Sequence, residues 1–193
     1  MKIPSDFILL GQPWQEKLDA GFQQSRVQLD WKPDALHLRF ELEDAHIVST
    51  ATAHNQRLFL IGDTAEVFLK IPGSNDYLEL HVCPGGYQTA FRWPDGAIET
   101  IRESHGTPLE NFQIDPESFA SCVEIHPGGW NVDFTIPPVL LGCETWSVGQ
   151  SLQLSVCRYD YAEFAGTPII STIASHRVAN FHEWRDWPVF LLV

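Results

Sequence analysis

Two glutamates and a histidine fall where they can bind hydroxyl groups or exchange protons. Glu79 and His81 alternate onto one face of a predicted strand, and Glu66 lies on the polar side of the strand before it. A carboxylate accepts hydrogen bonds from hydroxyl groups, and a carboxylate beside an imidazole can also act as an acid and base pair. His81 can serve as a metal ligand or a sugar-binding group, or it can be an ordinary solvated histidine, since no histidine accompanies it at a metal-ligand spacing.

Tryptophan is abundant, with seven in 193 residues. Tryptophan rings stack on the apolar faces of sugars while polar side chains bind the hydroxyl groups. Trp93 stands beside the turn sequence Pro94-Asp95-Gly96, and Trp184 stands among charged residues, so we expect both at a surface or a cleft. Either ring can instead cap the core. Trp130 shares the period-two phase of its apolar neighbours, which places it in the core.

Several acidic loops offer the oxygen ligands that calcium prefers, although none has the spacing of an EF-hand. The loops are Glu43-Asp44, Asn75-Asp76, Asp160 to Glu163 and Glu183 to Asp186. A structural calcium ion can be held there, or these are ordinary polar turns. The sequence indicates no required cofactor.

The four cysteines show no paired spacing. Cys83, Cys122, Cys143 and Cys157 are far apart, so buried free thiols are the first expectation. In an oxidising compartment two disulfides can form, with three connectivities open.

Hydrolase and nucleotide-binding motifs are absent from the sequence. It contains no Gly-x-Ser-x-Gly, no phosphate-binding glycine loop and no His-Glu-x-x-His. We therefore expect no catalytic activity, although a catalytic group assembled from distant positions would leave no motif.

Charge and hydropathy exclude several partners. The net charge of -13 repels phosphate backbones and anionic membrane surfaces. No stretch has the length of a membrane helix, and the N-terminus lacks the profile of a signal peptide. These features predict a soluble protein that binds neither nucleic acid nor membranes. We expect it in the cytoplasm unless a signal peptide was removed. The sequence does not specify its oligomeric state.

Period-two alternation predicts most of the secondary structure as strands. Predicted strands cover 36–43, 65–71, 77–82, 121–125, 130–136, 152–157 and 189–193, the last one apolar throughout and expected to be buried on both faces. Turn sequences at 72–76, 94–96 and 127–129 predict hairpins. Residues 15–23 and 138–142 are the two candidates for short helices. The pattern favours one all-β domain over residues 1–193, a β-sandwich of antiparallel strands.

Three segments resemble the family 9 carbohydrate-binding modules and the wider DOMON-like group. Residues 62–69 with 77–86 are similar to the family's Asp-x-x-Glu-x-Phe strand and its hairpin partner, 129–137 to its Gly-Trp-x-x-Glu-x-x-Ile-Pro strand, and 180–182 to its closing Phe-His segment. The resemblance implies a jelly-roll-like β-sandwich that binds a mono- or oligosaccharide at one edge, sometimes with structural calcium. DOMON-like relatives also include haem proteins. Since Met1 is the single methionine, ligation by two histidines is the form left open.

The resemblance carries over the family's binding site only in part. Glu66 matches a carboxylate that binds sugar hydroxyls, whereas His81 stands where the family has arginine and Cys83 where it has asparagine. The two tryptophans that enclose the sugar fall near Leu60 and Phe181. We therefore expect a site centred on Glu66 and His81, with the stacking surface supplied by Phe181, Trp93 or Trp184.

The sequence leads to one main functional hypothesis and two alternatives. The main hypothesis is a non-catalytic carbohydrate-binding domain that uses a carboxylate and aromatic stacking. The first alternative is a carbohydrate-active enzyme or accessory protein that uses Glu66, Glu79 and His81. The second is a protein-interaction module without a small ligand.

Overall fold

The chain folds into two antiparallel β-sheets that pack face to face. The structure, a computed structural model, describes residues 1–98, 101 and 108–193. The strands are β1 Ile8–Leu9, β2 Ser25–Lys32, β3 Ala35–Glu43, β4 Thr64–Lys70, β5 Asp76–Val82, β6 Gln88–Pro94, β7 Ala120–His126, β8 Gly129–Ile136, β9 Ser151–Asp160, β10 Ile169–Thr172 and β11 Val189–Leu191. Short 3-10 turns lie at Leu58–Leu60, Leu109–Phe112, Pro116–Ser118, Pro138–Leu141 and Trp184–Asp186. The predicted β-sandwich is confirmed.

The first sheet has the strand order β1-β2-β3-β8-β7 and one solvated face. Its inner side chains alternate with polar ones, as expected for a half-buried sheet. Trp130 on β8 is fully buried in the core, as its period-two phase predicts. On the outer face Arg39 pairs with Asp133 on the neighbouring strand.

The second sheet has the order β9-β4-β5-β6, and β10 and β11 both pair with the free side of β9. One face packs on the first sheet through apolar residues such as Val67, Leu80 and Leu154. Every residue of β4 is buried, so the other face of this sheet is covered as well.

An aromatic layer covers that second face. Phe68, Tyr77, Phe91 and Trp93 leave the sheet on this side and form a separate apolar cluster. The cover comes from connecting segments that contribute Trp14, Ile98, Ile101, Leu109, Phe112, Phe181, Trp184 and Trp187. The candidate site lies within this layer.

Turn chemistry behaves as predicted at two hairpins, since residues 72–76 join β4 to β5 and residues 127–129 join β7 to β8. The short-helix candidate at 138–142 forms the 3-10 turn Pro138–Leu141, which ends at Gly142, whose φ of 72° suits a residue without a side chain. Among the described residues, no helix is long and apolar enough to cross a membrane.

Three local predictions are wrong. Residues 15–23 form an irregular loop, because the Gln12 side chain binds both the backbone N–H and the carboxylate of Asp19. Residues 94–96 end β6 and do not form the tip of a hairpin in the described part of the chain. The C-terminal strand β11 pairs with β9, and its Leu191 also bridges to Lys2, but Val189 is 41% exposed, so the strand is not buried on both faces.

Candidate functional site

Two neighbouring strands form the floor of the candidate site. Glu66 on β4 pairs directly with His81 on β5, and Glu79 lies two residues before His81, so all three side chains leave the sheet on its aromatic face. His81 Nε2 lies 2.7 Å from Glu79 Oε1 and 3.3 Å from Glu66 Oε1. All three side chains are buried. The fold therefore brings the three predicted residues into one cluster.

Glu79 is held by partners on both of its oxygens. Its Oε1 meets His81, and its Oε2 accepts a hydrogen bond of 2.5 Å from Trp93 Nε1. His182 Nδ1 lies 3.8 Å from the same Oε2 and 2.9 Å from Tyr77 Oη. These contacts fix the Glu79 carboxylate in place and link the two histidines through it.

Glu66 has a different environment, although it lies on the next strand. Its Oε1 is buried and accepts no hydrogen bond from the described residues. Burial raises the pKa of Glu66 to about 8, against the attraction of His81 and together with the repulsion of Glu79. Glu66 is therefore largely protonated at neutral pH.

For Glu79 and His81, neighbouring charges outweigh burial in setting the pKa. Burial by itself raises the pKa of Glu79, but the nearby His182 and His81 bring it below its ordinary value. Burial by itself lowers the pKa of His81, but Glu66 and Glu79 raise it above its ordinary value. At neutral pH the floor thus combines a protonated Glu66 with an ionised Glu79.

A pocket of about 280 Å³ opens above this floor. The residues that line it are Phe59, Glu66, Phe68, Glu79, Ile98, Ile101, Leu109, Tyr159, Ile170, Ala179, Asn180, Phe181 and His182. Glu66 and Glu79 reach the pocket, whereas His81 is fully buried and supports them from below.

Aromatic rings form the walls. The ring centroids of Phe59 and Tyr159 lie 5.8 Å apart, and those of Tyr159 and Phe181 also lie 5.8 Å apart with perpendicular planes. Phe68 adds a ring 6.4 Å from Phe181. Such walls offer apolar faces to a ligand whose polar groups meet the carboxyl groups below.

The two tryptophans predicted as stacking residues, Trp93 and Trp184, lie outside this pocket. Trp93 is buried behind Glu79, where its ring stacks on Phe91 at 5.1 Å. Trp184 lies under two cations, with Lys70 Nζ 4.0 Å and the Arg185 guanidinium 4.7 Å from its ring. Neither lines the pocket in the described part of the chain. Phe181 lines it, as expected.

Phe59 is the wall residue that the sequence did not reveal. The resemblance pointed to Leu60, but Leu60 is 54% exposed and Phe59 lines the pocket instead. Both residues lie in the 3-10 turn Leu58–Leu60, where no alternation indicates which side chain faces inward. The only sequence signal was that the aromatic residue Phe59 directly precedes the matched position, Leu60.

A second acidic cluster joins two of the loops considered for calcium. Oxygen atoms of Asp44, Asp63 and Asp160 lie within 4.8 Å of one another. Arg158 Nη2 lies 3.1 Å from Asp44 Oδ2 and 3.3 Å from Asp160 Oδ2. Asp63 accepts backbone hydrogen bonds from Val48 and Tyr161 on its two oxygens.

This second cluster does not fit calcium. Calcium takes about 6–8 oxygen ligands, and these carboxylates are already directed at a guanidinium and three backbone N–H groups. Arg158 occupies the position in which a cation would balance the acidic side chains. We therefore derive no role for calcium here.

The four cysteines are all free thiols. Cys83 and Cys157 are buried, as expected, but Cys143 is half-buried and Cys122 is exposed on β7. None of them lines the pocket in the described residues.

Comparisons with known proteins identify the fold. No protein-family model matches the chain, and no curated protein matches it. A candidate carbohydrate-binding protein from Bacteroides uniformis is similar in structure, with a TM-score of 0.76 and 11% identity over 97% of this chain and 86% of that one.

Two further solved structures are family 9 carbohydrate-binding modules from Caldicellulosiruptor kristjanssonii. One, in complex with cellotriose, has a TM-score of 0.64 and 14% identity over 100% of this chain and 88% of that one. The other, in complex with glucose, has a TM-score of 0.61 and 16% identity over 91% of this chain and 79% of that one. The resemblance read from the sequence is thus confirmed at the level of the fold.

Proposed function

We propose that the chain is a non-catalytic carbohydrate-binding domain whose ligand, a mono- or oligosaccharide, places one sugar ring in the pocket above Glu66. The observation that carries the proposal is the joint presence of buried carboxyl groups and aromatic walls in one pocket. The similar structures solved with glucose and cellotriose support it, since they share this fold.

The aromatic and carboxyl side chains match the apolar ring faces and the polar hydroxyl groups of a sugar. The pocket walls Phe59, Tyr159 and Phe181 offer apolar contact to ring C–H groups. Glu66 supplies a carboxyl group that is protonated at neutral pH and can both donate and accept hydrogen bonds. Asn180 and His182 add polar groups to the lining.

The size of the pocket favours one ring over a longer chain. Pockets for drug-sized ligands measure about 300–1,000 Å³. The volume of about 280 Å³ lies just below that range. An oligosaccharide would therefore place one ring inside and its other rings outside.

The contacts within the floor favour binding without catalysis over the enzymatic alternative. Both oxygens of Glu79 are engaged by His81 and Trp93, so this carboxylate is not free to take a proton from a bound sugar. His81 lies below the pocket surface, away from a bound sugar. A general base must reach the proton that it removes.

Calorimetry with glucose, xylose, galactose and cellotriose tests the proposal. We expect at least one sugar to bind the wild type. Glu66→Ala leaves sugar hydroxyls unpaired, at about 1–3 kcal/mol, which corresponds to an affinity reduced roughly 5–150-fold. Phe59→Ala, which removes one wall, is expected to weaken binding in the same direction.

Two variants serve as matched controls. Leu60→Ala truncates the exposed neighbour of Phe59, and Glu124→Ala removes an exposed carboxylate on β7. Both should bind sugar as the wild type does. Undiminished binding in Glu66→Ala would place the site elsewhere on the sandwich. A wild type that binds none of the sugars would contradict the proposal and favour the protein-interaction module.

A further inference from the structure

The cluster below the pocket leaves two buried polar atoms, Glu66 Oε1 and His81 Nδ1, without a hydrogen-bond partner among the described residues. His81 Nε2 carries at most one proton, and two carboxyl oxygens converge on it. Glu79 Oε1 at 2.7 Å receives that proton. Glu66 Oε1 remains 3.3 Å away, buried and without a hydrogen bond from the described residues. A buried polar oxygen of this kind calls for a ligand or a proton of its own.

We propose that Glu66, Glu79 and His81 bind a divalent transition-metal ion, with zinc as the best match. One oxygen from each glutamate and one imidazole nitrogen lie within 4.8 Å of one another, and all three side chains are more than nine-tenths buried. An ion at their centre would satisfy the three converging atoms together. This inference goes beyond sugar binding, since the ion is held by the floor and its binding can be measured without a sugar.

The types of ligand select the metal. Zinc binds histidine nitrogen and glutamate oxygen, and three protein ligands leave one position for an outside ligand. Glu66 and Glu79 both line the pocket, so that position can be reached from the pocket side. Calcium and magnesium prefer sites made of oxygen alone, which makes an imidazole a poor ligand for them.

The metal replaces protons when it binds. Zinc takes neutral imidazole and ionised carboxylates, so the proton on Glu66 and the proton on His81 Nε2 leave to solvent. The charge in the cluster then comes from two carboxylates and one divalent cation. The alternative state, with protons and no metal, is the competing outcome of the test.

Zinc chloride titrated into chelator-treated, dialysed protein tests the inference by calorimetry. We expect one saturable zinc site per chain and no corresponding site for calcium or magnesium. Glu66→Gln keeps the shape of the side chain and should lower zinc affinity by more than about 100-fold. Replacing a residue that only hydrogen-bonds to a metal ligand already reduces metal affinity about 10–100-fold, and Glu66 is a proposed ligand itself. Circular dichroism verifies that this variant is folded.

Two control variants distinguish this cluster from other acidic or histidine sites. Asp160→Asn alters the second acidic cluster and His126→Gln removes a histidine from β7, and both should bind zinc as the wild type does. Anomalous scattering at the zinc edge should place the ion between β4 and β5. No saturable zinc binding by the wild type, equal binding by Glu66→Gln, or an ion located elsewhere would each overturn the inference. Sugar binding that persists in metal-free protein would leave the proposed function intact.

Discussion

Loss of the buried Arg158 cation should lower the stability of the fold strongly. Its side chain is 1% exposed and lies among Asp44, Asp63 and Asp160. Nη1 donates to Ser25 Oγ at 2.8 Å and to the backbone oxygen of Glu43 at 2.7 Å. Nη2 donates to Asp44 at 3.1 Å. Arg158→Met keeps most of the aliphatic stem but removes the cation and every one of these donors.

The magnitude follows from the burial of the cluster. Removing one partner of a buried ion pair typically destabilises a protein by about 3–5 kcal/mol, because the other charge is left without compensation. For a chain of this size, about 1 kcal/mol lowers Tm by roughly 2–4 °C, so the expected decrease is about 6–20 °C. Arg26→Met breaks an exposed pair with Glu41 and should change stability by only about 0–1 kcal/mol.

Urea denaturation and thermal melting of the two variants provide the assay. Calcium should leave the Tm of the wild type unchanged. If Arg158→Met loses less than about 1 kcal/mol, or if calcium raises the Tm of the wild type, the guanidinium does not balance this cluster and our reasoning is refuted.

Three further predictions concern the core, the acidic cluster and the thiols. Trp130→Ala should lower the free energy of unfolding by about 3–5 kcal/mol, since Trp130 is fully buried, and a variant that melts within a degree of the wild type would contradict its placement. Burial, together with the repulsion of Asp44 and Asp160, raises the pKa of Asp63 from 3.8 to about 7. The stability that protonated Asp63 contributes is therefore complete below about pH 4 and is lost as the pH rises through 7. Carboxyl ¹³C NMR should show this midpoint, and a midpoint below pH 5 would refute it. A thiol reagent should label the exposed Cys122 first and the buried Cys157 only on unfolding, because burial raises the pKa of the Cys157 thiol, and rapid labelling of Cys157 in the folded protein would contradict this.

The strands were predictable where one face of the sheet is solvated. On β3 and β8 polar and apolar residues alternate cleanly, because one side faces water and the other faces the core. On β4 and β5 the same alternation appears, yet both faces are buried. A period-two pattern shows that the two faces of a strand differ in polarity. It does not show whether the more polar face is covered by other segments.

The location of His81 shows the consequence for the site. Its polar phase allowed a solvated histidine, whereas the aromatic layer buries it completely. The cluster with Glu66 and Glu79 was predictable, because all three lie on adjacent strands of one hairpin. Phe59 was not, since it lies in a short 3-10 turn whose position depends on tertiary packing.

The stranded floor and those wall residues that come from connecting segments allow two different kinds of sequence change. Floor residues such as Glu66 and Glu79 are tied into backbone ladders on β4 and β5, so exchanging them disturbs a buried layer. Wall residues such as Phe59 and Phe181 lie outside the ladders. Substitutions there can reshape the cavity while the sheets keep their register, so ligand preference can diversify on this scaffold with little change in its thermal stability.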